Sequence, residues 1–418
     1  MILACAHDGT VFNEVLASTH GFNLESRDIK EVSVNDPNTG EKTDKSEIIY
    51  NFVGFVSNDD NDLLVVFPKK YRMKDKNVDS RIIFECIAKH KQKHPELYIG
   101  DDPEIKYESN YPFSSFFEIY DYYKTYGLYF EDEIFIRPNT GGRISWKETI
   151  SRSDKYIIGG SLIMYPFYYR KNYHFSNFIT ECMIFAIDYT ISKFSVLIDL
   201  QETGCDFPEF DYLGECDYVV NTLVQLRQQV FKDNVLQLID NLINFYSKVN
   251  VGGDFYLKHY SFSSIWEDMV TEYLCKFFKE VNSSHSVVFD KNHPSGLVFQ
   301  KTSFHTNGAN PKQYISPDHY SSNKDIQFVF DAKYYSEISG MNYKQIAYMF
   351  MLKDMIDTTT GNRRYNKIYS ALLLPSEDRN TKIHFTLDPK FGTCPDLVIT
   401  EEYLDIRDVI EEYLNYGV

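Results

Sequence analysis

The feature that most constrains the fold is a short apolar run, residues 326–330, that leads into the charged residues Asp331 and Lys333. The β-branched and aromatic side chains of this run predict a buried strand. Because side chains two apart on a strand point to the same face, Asp331 and Lys333 are expected to project together. If the strand that carries Asp318 lies alongside, two carboxylates and one amine converge on one spot.

That arrangement suits the hydrolysis of a phosphodiester. The carboxylates of Asp318 and Asp331 would hold Mg²⁺, which polarises the phosphate and lowers the pKa of a bound water. Lys333 would orient or deprotonate that water and offset the developing negative charge. A non-catalytic interpretation of this segment stays open: Asp318 is then a turn former after a proline, and Lys333 extends from a strand end into solvent.

A predicted helix upstream supplies a third carboxylate. Apolar residues at three-and-four spacing place Trp266 on the buried stripe of this helix and Glu267 at its margin, from which a carboxylate can reach the edge of a sheet. Asp268 and Glu272 are expected on the opposite, solvent-facing side. Ser264 and Glu267 also have the S-x-x-E spacing of a capping box, so a capping role for Glu267 is an alternative that does not exclude the first.

The charge and length of the chain restrict its functions. A chain of 418 residues is expected to form two or three domains. A formal net charge of −17 does not suit a free-standing, nonspecific DNA binder. Either the basic residues are concentrated on one face, or a partner subunit supplies most of the affinity for DNA. Seven cysteines without a C-x-x-C pair, and no signal sequence or long apolar stretch, predict a cytoplasmic protein without membrane contact.

Composition and periodicity predict three domains: a β-rich N-terminal domain that contacts a partner or DNA (1–160), a helical linker region (161–252) and a C-terminal domain (253–418). The C-terminal order of helix, strands, helix, strands and helix predicts an α/β (α+β) fold with a central mixed sheet flanked by helices. The predicted strands are 48–56, 63–67, 287–289, 297–299, 326–330, 368–374, 383–387 and 397–399, and the predicted helices are 113–126, 175–191, 218–231, 235–245, one around 264–278, one that starts at Asn342, and 402–414.

Several motifs of the C-terminal part occur in one order: a helix with Glu267, a Pro-Asp turn at Asp318, the strand end Asp331-Ala332-Lys333, and a helix with Gln345. Over about residues 255–400 the chain thereby resembles the PD-(D/E)XK nuclease superfamily. The segments FDAKYY (330–335) and KQIAY (344–348) are more similar still to LlaJI-type restriction endonucleases and the related McrC subunits of McrBC systems. The segments ISWKETI (144–150) and VVFPKKY (65–71) extend this resemblance loosely over the whole chain.

The resemblance implies a PD-(D/E)XK nuclease fold with a metal site. Asp318 and Asp331 would be ligands of Mg²⁺, for which we expect Mn²⁺ to substitute. The Ala332 carbonyl oxygen would be a further ligand. Glu267 would be a water-mediated ligand or the ligand of a second metal ion.

The resemblance also implies catalytic roles and partners. Lys333 would be the catalytic lysine, and Gln345 would fill the glutamine motif of RecB-like members. McrC-like subunits work on double-stranded DNA with an AAA+ GTPase, whose GTP hydrolysis they stimulate through their N-terminal domain. This chain has no G-x-x-x-x-G-K-[ST] motif of its own. Cutting both strands usually needs two active sites, so dimerisation of nuclease domains is a further expectation.

The resemblance therefore implies an endodeoxyribonuclease subunit of a McrBC/LlaJI-like restriction system, active in phage defence and activated by a GTPase. Other interpretations stay open: a stand-alone restriction endonuclease, a RecB-like exonuclease, and a non-catalytic regulatory subunit whose carboxylates are structural.

Overall fold

The structure is a computed structural model that describes residues 3–35, 42–58, 60, 62–94, 107–139, 141–175, 177–249, 254–392 and 397–415. Two compact units make up the chain. Unit 1 comprises Met1–Asn110, Val196–Ile198 and Gly252–Val418, and unit 2 comprises Tyr111–Ser195 and Asp199–Val251. The division into three domains stays a prediction, and its boundary near 249–254 falls largely outside the described residues.

The described residues form the following elements. The strands are β1 Leu3–His7, β2 Ile29–Asn35, β3 Lys42–Tyr50, β4 Val53–Ser57, β5 Leu63–Phe67, β6 Tyr107–Ser109, β7 Glu131–Pro138, β8 Arg143–Ile144, β9 Asp154–Ile158, β10 Ser161–Tyr165, β11 Tyr168–Phe175, β12 Tyr256–His259, β13 Phe278–Val281, β14 Val287–Phe289, β15 His319–Asn323, β16 Ile326–Ala332, β17 Lys367–Ser376, β18 Asn380–Thr386 and β19 Val398–Asp405. The helices are α1 Glu14–Thr19, α2 Lys76–Lys93, α3 Phe113–Tyr126, α4 Trp146–Arg152, α5 Phe178–Lys193, α6 Cys216–Arg227, α7 Asp233–Lys248, α8 Phe262–Phe277, α9 Tyr343–Leu352 and α10 Ile406–Asn415. This content confirms a mixed α/β fold. None of the described helices is long and apolar enough to cross a membrane.

Unit 1 contains a sheet built from both ends of the chain. Its strand order is β1-β5-β4-β12-β6, so β12, which directly precedes α8, completes an otherwise N-terminal sheet. Every residue of β4 and β5 is buried, because these apolar runs lie inside the sheet and are covered on both faces. The close approach of β12 to β4 requires a glycine: Gly54 has φ +145°, and a Cβ atom there would lie 2.0 Å from the Leu257 carbonyl oxygen.

The second large sheet of unit 1 has the strand order β15-β16-β17-β19-β18. Its β16-β17 and β17-β19 pairs are parallel, and its two outer pairs are antiparallel. This sheet confirms the predicted mixed sheet in the C-terminal part. Its strands are rich in buried apolar side chains, since helices cover both faces.

Alternation along β16 decides which helix covers which face. Val329 packs with Tyr348 and Met349 of α9. Phe330, one residue further, stacks on Phe299 with ring centroids 5.6 Å apart and lies beside Phe278, which follows α8. Because successive side chains point to opposite faces, α8 and α9 lie on opposite sides of the sheet. The α8 side is fixed further by Trp266, which is fully buried and donates from Nε1 to the Leu373 carbonyl oxygen at 3.1 Å.

Unit 2 combines four longer helices with two small sheets. Helix α5 starts at a capping box formed by Asn177 and Thr180, and most of its residues are buried. Strands β7, β11 and β8 form one sheet in the order β7-β11-β8. Strands β9 and β10 form a separate hairpin whose side chains are almost all exposed, including Ile157 at 80%.

The structure confirms several predicted elements and corrects others. The predicted helix 113–126 is α3, with Gly127 at its C-cap. The predicted strand 48–56 is two strands, because the chain is interrupted at Asn51, whose side-chain amide donates to the Arg27 carbonyl oxygen. The prediction of a strand at 297–299 is wrong: these residues form no ladder, and the Phe299 N–H group donates to Cys275 Sγ. The final helix starts at Ile406 rather than 402, because residues 398–405 form an interior strand of the sheet.

A buried ion pair ties β12 to the N-terminal part. Lys258 Nζ lies 2.7 Å from Asp28 Oδ2, and both side chains are almost completely excluded from solvent. The Tyr260 hydroxyl donates to the other Asp28 oxygen at 2.7 Å. A buried charge that loses its partner is costly, so the pair fixes the course of the chain just before α8.

We expect Asp28→Asn to destabilise unit 1 by about 3–5 kcal/mol, because it leaves the Lys258 ammonium buried without a countercharge. Asp378→Asn is the matched control: it breaks the exposed Arg72–Asp378 pair of the same unit, which water screens, so that it contributes little to stability. Urea unfolding of the two variants measures the difference. Equal, small losses in both variants would contradict the role assigned to the buried pair.

Candidate functional site

Strand register brings two aspartates together at one end of the mixed sheet. Strands β15 and β16 are antiparallel, and their pairing runs from Asn323 opposite Ile326 to His319 opposite Phe330. Asp318 directly precedes β15, so continuing this register places it opposite Asp331. The carboxyl groups of the two aspartates are joined by a hydrogen bond.

The two carboxyl groups share one proton. Asp331 is fully buried, and Asp318 is 8% exposed. Burial, the hydrogen bond to Asp331, and the charges of Asp331 and Glu267 raise the pKa of Asp318 to about 7. Burial would also raise the pKa of Asp331, but the hydrogen bond from Asp318 and the ammonium of Lys333 lower it below its ordinary value. Asp318 therefore carries the proton and donates it to the ionised Asp331.

Three lysines surround this pair. The Lys333 ammonium contacts Asp331 Oδ2, and Lys344 Nζ lies 3.5 Å from Asp331 Oδ1. Lys301 Nζ lies 3.6 Å from Asp318 Oδ1, and most of its side chain is exposed. The sequence analysis identified Lys333 but missed the other two. A signal existed for Lys344, since a lysine in the first turn of a helix is opposed by the helix dipole and calls for a local anion.

Glu267 lies close enough to raise the pKa of Asp318 by its charge. It belongs to α8, and its side chain is partly exposed. The predicted capping box is wrong: α8 begins at Phe262 with Ser261 as N-cap, so Ser264 already lies within the helix and donates to the Ser261 carbonyl oxygen. Glu267 therefore does not cap the helix.

The other acidic residues of α8 do not face solvent, which corrects a second prediction. Asp268 Oδ1 and Glu272 Oε1 each lie 2.6 Å from Lys93 Nζ of α2. Glu272 is only 8% exposed. The helix is covered on this side by α2 and α10, a packing that periodicity within α8 could not indicate.

Ala332 lies at the end of β16, beside the two carboxylates. It is buried, and it pairs with Leu373 of the parallel strand β17. The next N–H group, that of Lys333, donates to the Leu373 carbonyl oxygen at 2.9 Å. The backbone that presents Lys333 is thus held by the sheet, while the lysine side chain turns back toward Asp331.

Gln345 contacts the sheet below the carboxylates. Its Nε2 group donates to the Val329 carbonyl oxygen at 2.7 Å and to Ser370 Oγ at 2.8 Å, and its Oε1 atom is buried without a hydrogen-bond partner in the described residues. Asn342 Oδ1 accepts from the Gln345 N–H group and so caps the start of α9. In the structure Gln345 joins α9 to β16 and β17.

Tyr334 connects the site to the N-terminal sheet, a link that the sequence did not reveal. Its hydroxyl oxygen accepts from the Lys69 N–H group at 2.8 Å and is hydrogen-bonded to Asp8. Asp8 follows β1 and lies 3.9 Å from Lys69 Nζ, while burial raises its pKa to about 6. Tyr334 directly follows Lys333, so the N-terminal sheet is in contact with the segment that carries the lysine.

The described donor set fits a divalent cation of the magnesium type. The candidate ligands are carboxylate and carbonyl oxygens, which Mg²⁺ and Mn²⁺ prefer. The raised pKa of Asp318 and the lowered pKa of Asp331 favour one proton on the pair below about pH 7, even beside the neighbouring lysines. A cation bound between them would replace that proton.

Comparison with protein families decides the family of the chain. The model of the LlaJI restriction endonuclease family matches residues 52–407. The chain belongs to the LlaJI restriction endonuclease family. This confirms the predicted family and, with it, a nuclease of a restriction system. No curated protein matches the chain.

Two solved structures resemble this LlaJI-family chain. One is the refined half-complex from a tetradecameric assembly of Thermococcus gammatolerans McrB AAA+ hexamers with bound McrC; it has 10% sequence identity, full coverage of both chains and a TM-score of 0.40. The other is the cryo-EM structure of the Thermococcus gammatolerans McrBC complex, with 10% identity, coverage of 61% of this chain and 82% of that chain, and a TM-score of 0.25. TM-scores this low add nothing to the family assignment.

We expect the metal-free LlaJI-family chain to lose stability as the pH rises from about 4 to about 7. Folding raises the pKa of Asp318 from 3.8 to about 7, so the stabilising contribution of its proton is complete below the lower value, falls between the two values and is lost once the pH has passed about 7. Thermal unfolding in EDTA between about pH 4 and about pH 8 measures this loss. Asp318→Asn should reduce the fall, whereas Asp325→Asn, an exposed change in the same hairpin, should retain it. An unchanged fall in Asp318→Asn would contradict the shared proton.

Proposed function

We propose that this chain is the Mg²⁺-dependent endodeoxyribonuclease subunit of a McrBC/LlaJI-like restriction system. The observation that carries the proposal is the hydrogen-bonded pair of Asp318 and Asp331 with the Lys333 ammonium on Asp331. Membership of the LlaJI family supports it independently. A buried acid pair beside a lysine is costly for stability. Such groups with shifted pKa values cluster at catalytic sites, and a metal-assisted hydrolase needs them.

The proposed reaction is hydrolysis of a phosphodiester bond in double-stranded DNA. When bound, Mg²⁺ would polarise the phosphate and lower the pKa of the attacking water. Asp318, Asp331, the Ala332 carbonyl oxygen and Glu267 would hold the ion, and Asp318 has to lose its proton first. Lys333, whose ammonium contacts Asp331, would orient that water and offset the negative charge that develops on the phosphate.

Lys344 and Lys301 extend the positive charge on either side of the acid pair. Lys344 lies on the Asp331 side, and Lys301 lies on the Asp318 side with most of its side chain exposed. In this proposal both side chains would contact phosphate oxygens of the DNA backbone. They also offset part of the local charge of a chain with a net charge of −17.

We assign the nuclease domain to the PD-(D/E)XK type. The support is the mixed sheet with α8 and α9 on opposite faces, the strand end Asp331-Ala332-Lys333, and Asp318 opposite Asp331. In this assignment Gln345 is a positioning residue that holds α9 on the sheet. We also propose that two nuclease domains pair to cut both strands.

The partner in this proposal is an AAA+ GTPase, whose GTP hydrolysis the chain stimulates in the cytoplasm. An acidic chain needs a second source of DNA affinity, which such a partner would supply. Unit 2 has an exposed apolar surface for such a partner on the β9-β10 hairpin, where Ile157, Ile158 and Leu162 are 80%, 64% and 55% exposed.

We expect Asp331→Asn and Lys333→Met each to lower the rate of Mg²⁺-dependent DNA cleavage by at least on the order of 10²–10³-fold, the scale of losing a charge partner in the transition state. Lys324→Met and Asp325→Asn, in the exposed turn between β15 and β16, are matched controls of the same residue types and should cleave normally. Circular dichroism checks that all four variants fold. Cleavage at the normal rate by either site variant would eliminate the proposal.

The partner is tested by measuring cleavage of linear and circular duplex DNA by the chain alone, and by the chain together with a McrB-like AAA+ GTPase and GTP. The proposal expects cleavage only in the complete mixture, together with faster GTP hydrolysis. Equal cleavage by the chain alone would indicate a stand-alone enzyme. Faster GTP hydrolysis without any cleavage would indicate a regulatory subunit.

A further inference from the structure

A second group of ligand-type side chains lies between α2 and α8, on the side of α8 away from the acid pair's strand hairpin. His90 and His94 are one turn apart at the C-terminal end of α2, and Asp268 and Glu272 are one turn apart on α8. Single ligand atoms of His90, His94 and Asp268 all lie within 4.8 Å of one another. His94 Nε2 lies 3.5 Å from Asp268 Oδ1.

The spacing of both pairs suits a metal ion. Asp268 and Glu272 lie four apart within α8 and therefore on the same face of this helix. His94 is the C-cap of α2, and the centroid of its ring lies 5.0 Å from that of the His90 ring. Imidazole nitrogens with carboxylate oxygens form a donor set that Zn²⁺ accepts in tetrahedral geometry. Zinc–ligand bonds of about 2.0–2.1 Å put neighbouring ligand atoms about 3.3 Å apart, a distance that side-chain rotation can reach from the present separations.

A positive charge already occupies this position. Lys93 Nζ lies 2.6 Å from Asp268 Oδ1 and 2.6 Å from Glu272 Oε1, so the two carboxylates share one ammonium. The Lys93 side chain is 38% exposed and can leave for solvent without a large desolvation cost. The carboxylates of α8 thus require a cation, and the cation that supplies the charge is replaceable.

Two further observations distinguish this group from a surface ion pair. Glu272 Oε2 is buried and has no hydrogen-bond partner in the described part of the chain. Such an atom lacks the hydrogen bonds it would have in water and calls for an ion or a water molecule. The Tyr413 hydroxyl of α10 donates to Asp268 Oδ2 at 2.8 Å, which orients this carboxylate as outer partners of metal ligands do.

We propose that His90, His94, Asp268 and Glu272 bind one Zn²⁺ ion, which displaces the Lys93 ammonium. The site is separate from the acid pair and does not depend on the proposed nuclease activity. It joins α2 to α8, and Asp268 is the neighbour of Glu267 in the sequence. Bound zinc would therefore stabilise unit 1 and fix the helix that carries Glu267.

The test uses the full chain with Asp331→Asn, which removes a ligand of the other site. After EDTA treatment and removal of the chelator, Zn²⁺ is titrated by calorimetry, and Co²⁺ serves as a probe of tetrahedral geometry through its visible absorption. The proposal expects one ion per chain and a higher melting temperature with zinc. His90→Gln and His94→Gln should each weaken Zn²⁺ binding by at least about tenfold, whereas His293→Gln, an exposed histidine elsewhere, should not.

Lys93→Met separates the metal site from a purely structural ion pair. Without metal this variant should melt at a lower temperature, because two carboxylates lose their countercharge. The proposal expects it to bind Zn²⁺ more tightly than the parent and to regain its stability when zinc is added. Zinc binding that does not change in His90→Gln and His94→Gln, or a Lys93→Met variant that zinc does not stabilise, would overturn the proposal. The partly exposed His94 keeps the test valid if the buried His90 variant fails to fold.

Discussion

Two carboxylic acids buried side by side repel each other when both are ionised, and the described site depends on how that repulsion is balanced. Asp318 and Asp331 meet because an antiparallel pair of strands places them opposite each other, and they share a proton that a metal ion would replace. Lys333 lies on the ionised member of the pair. Glu267 of α8 adds a third acid, whose charge raises the pKa of Asp318. Each of these groups shifts the protonation of the others, so the site acts as a unit.

The sheet built from both chain ends explains how this unit is held. Strand β12 pairs with β4, and the buried pair of Lys258 and Asp28 fixes it immediately before α8, which carries Glu267. On the other side, Tyr334 is hydrogen-bonded to residues that follow β1 and β5. The N-terminal sheet therefore contacts the segments on both sides of the acid pair. A displacement of that sheet would move Tyr334 and, with it, the adjacent Lys333.

Local sequence signals predicted the elements whose partners are close in the chain. From the sequence, the meeting of Asp318 and Asp331 depended on whether the segment that carries Asp318 lies alongside the apolar run. In the structure it does, because the turn at Lys324 and Asp325 joins β15 to β16 in one hairpin, whose register involves few residues. The end of α3 at Gly127 was also predicted correctly, because a C-cap depends on residues close in the chain. The family resemblance supplied the roles of Glu267 and the Ala332 carbonyl group, which no periodicity could indicate.

Long-range packing decided what the sequence could not show. The burial of Glu272 depends on α2, nearly 200 residues earlier in the chain, so the wheel of α8 alone misplaced it. The contact of Tyr334 with Lys69 likewise joins residues distant in the sequence. The capping box failed because α8 starts three residues earlier than its spacing suggested, with Ser261 in place of Ser264 at the cap.

The most direct test of the account is the position of a bound divalent cation in a crystal of the chain soaked with Mn²⁺, located by anomalous scattering. The account predicts a Mn²⁺ ion within about 2.0–2.3 Å of a carboxylate oxygen of Asp318, a carboxylate oxygen of Asp331 and the Ala332 carbonyl oxygen, with the hydrogen bond between the aspartates broken. The contradicting result would come from a crystal at saturating Mn²⁺ and at a pH above the pKa of Asp318. In that crystal the two carboxyl groups would still be hydrogen-bonded to each other, and no ion would lie between them.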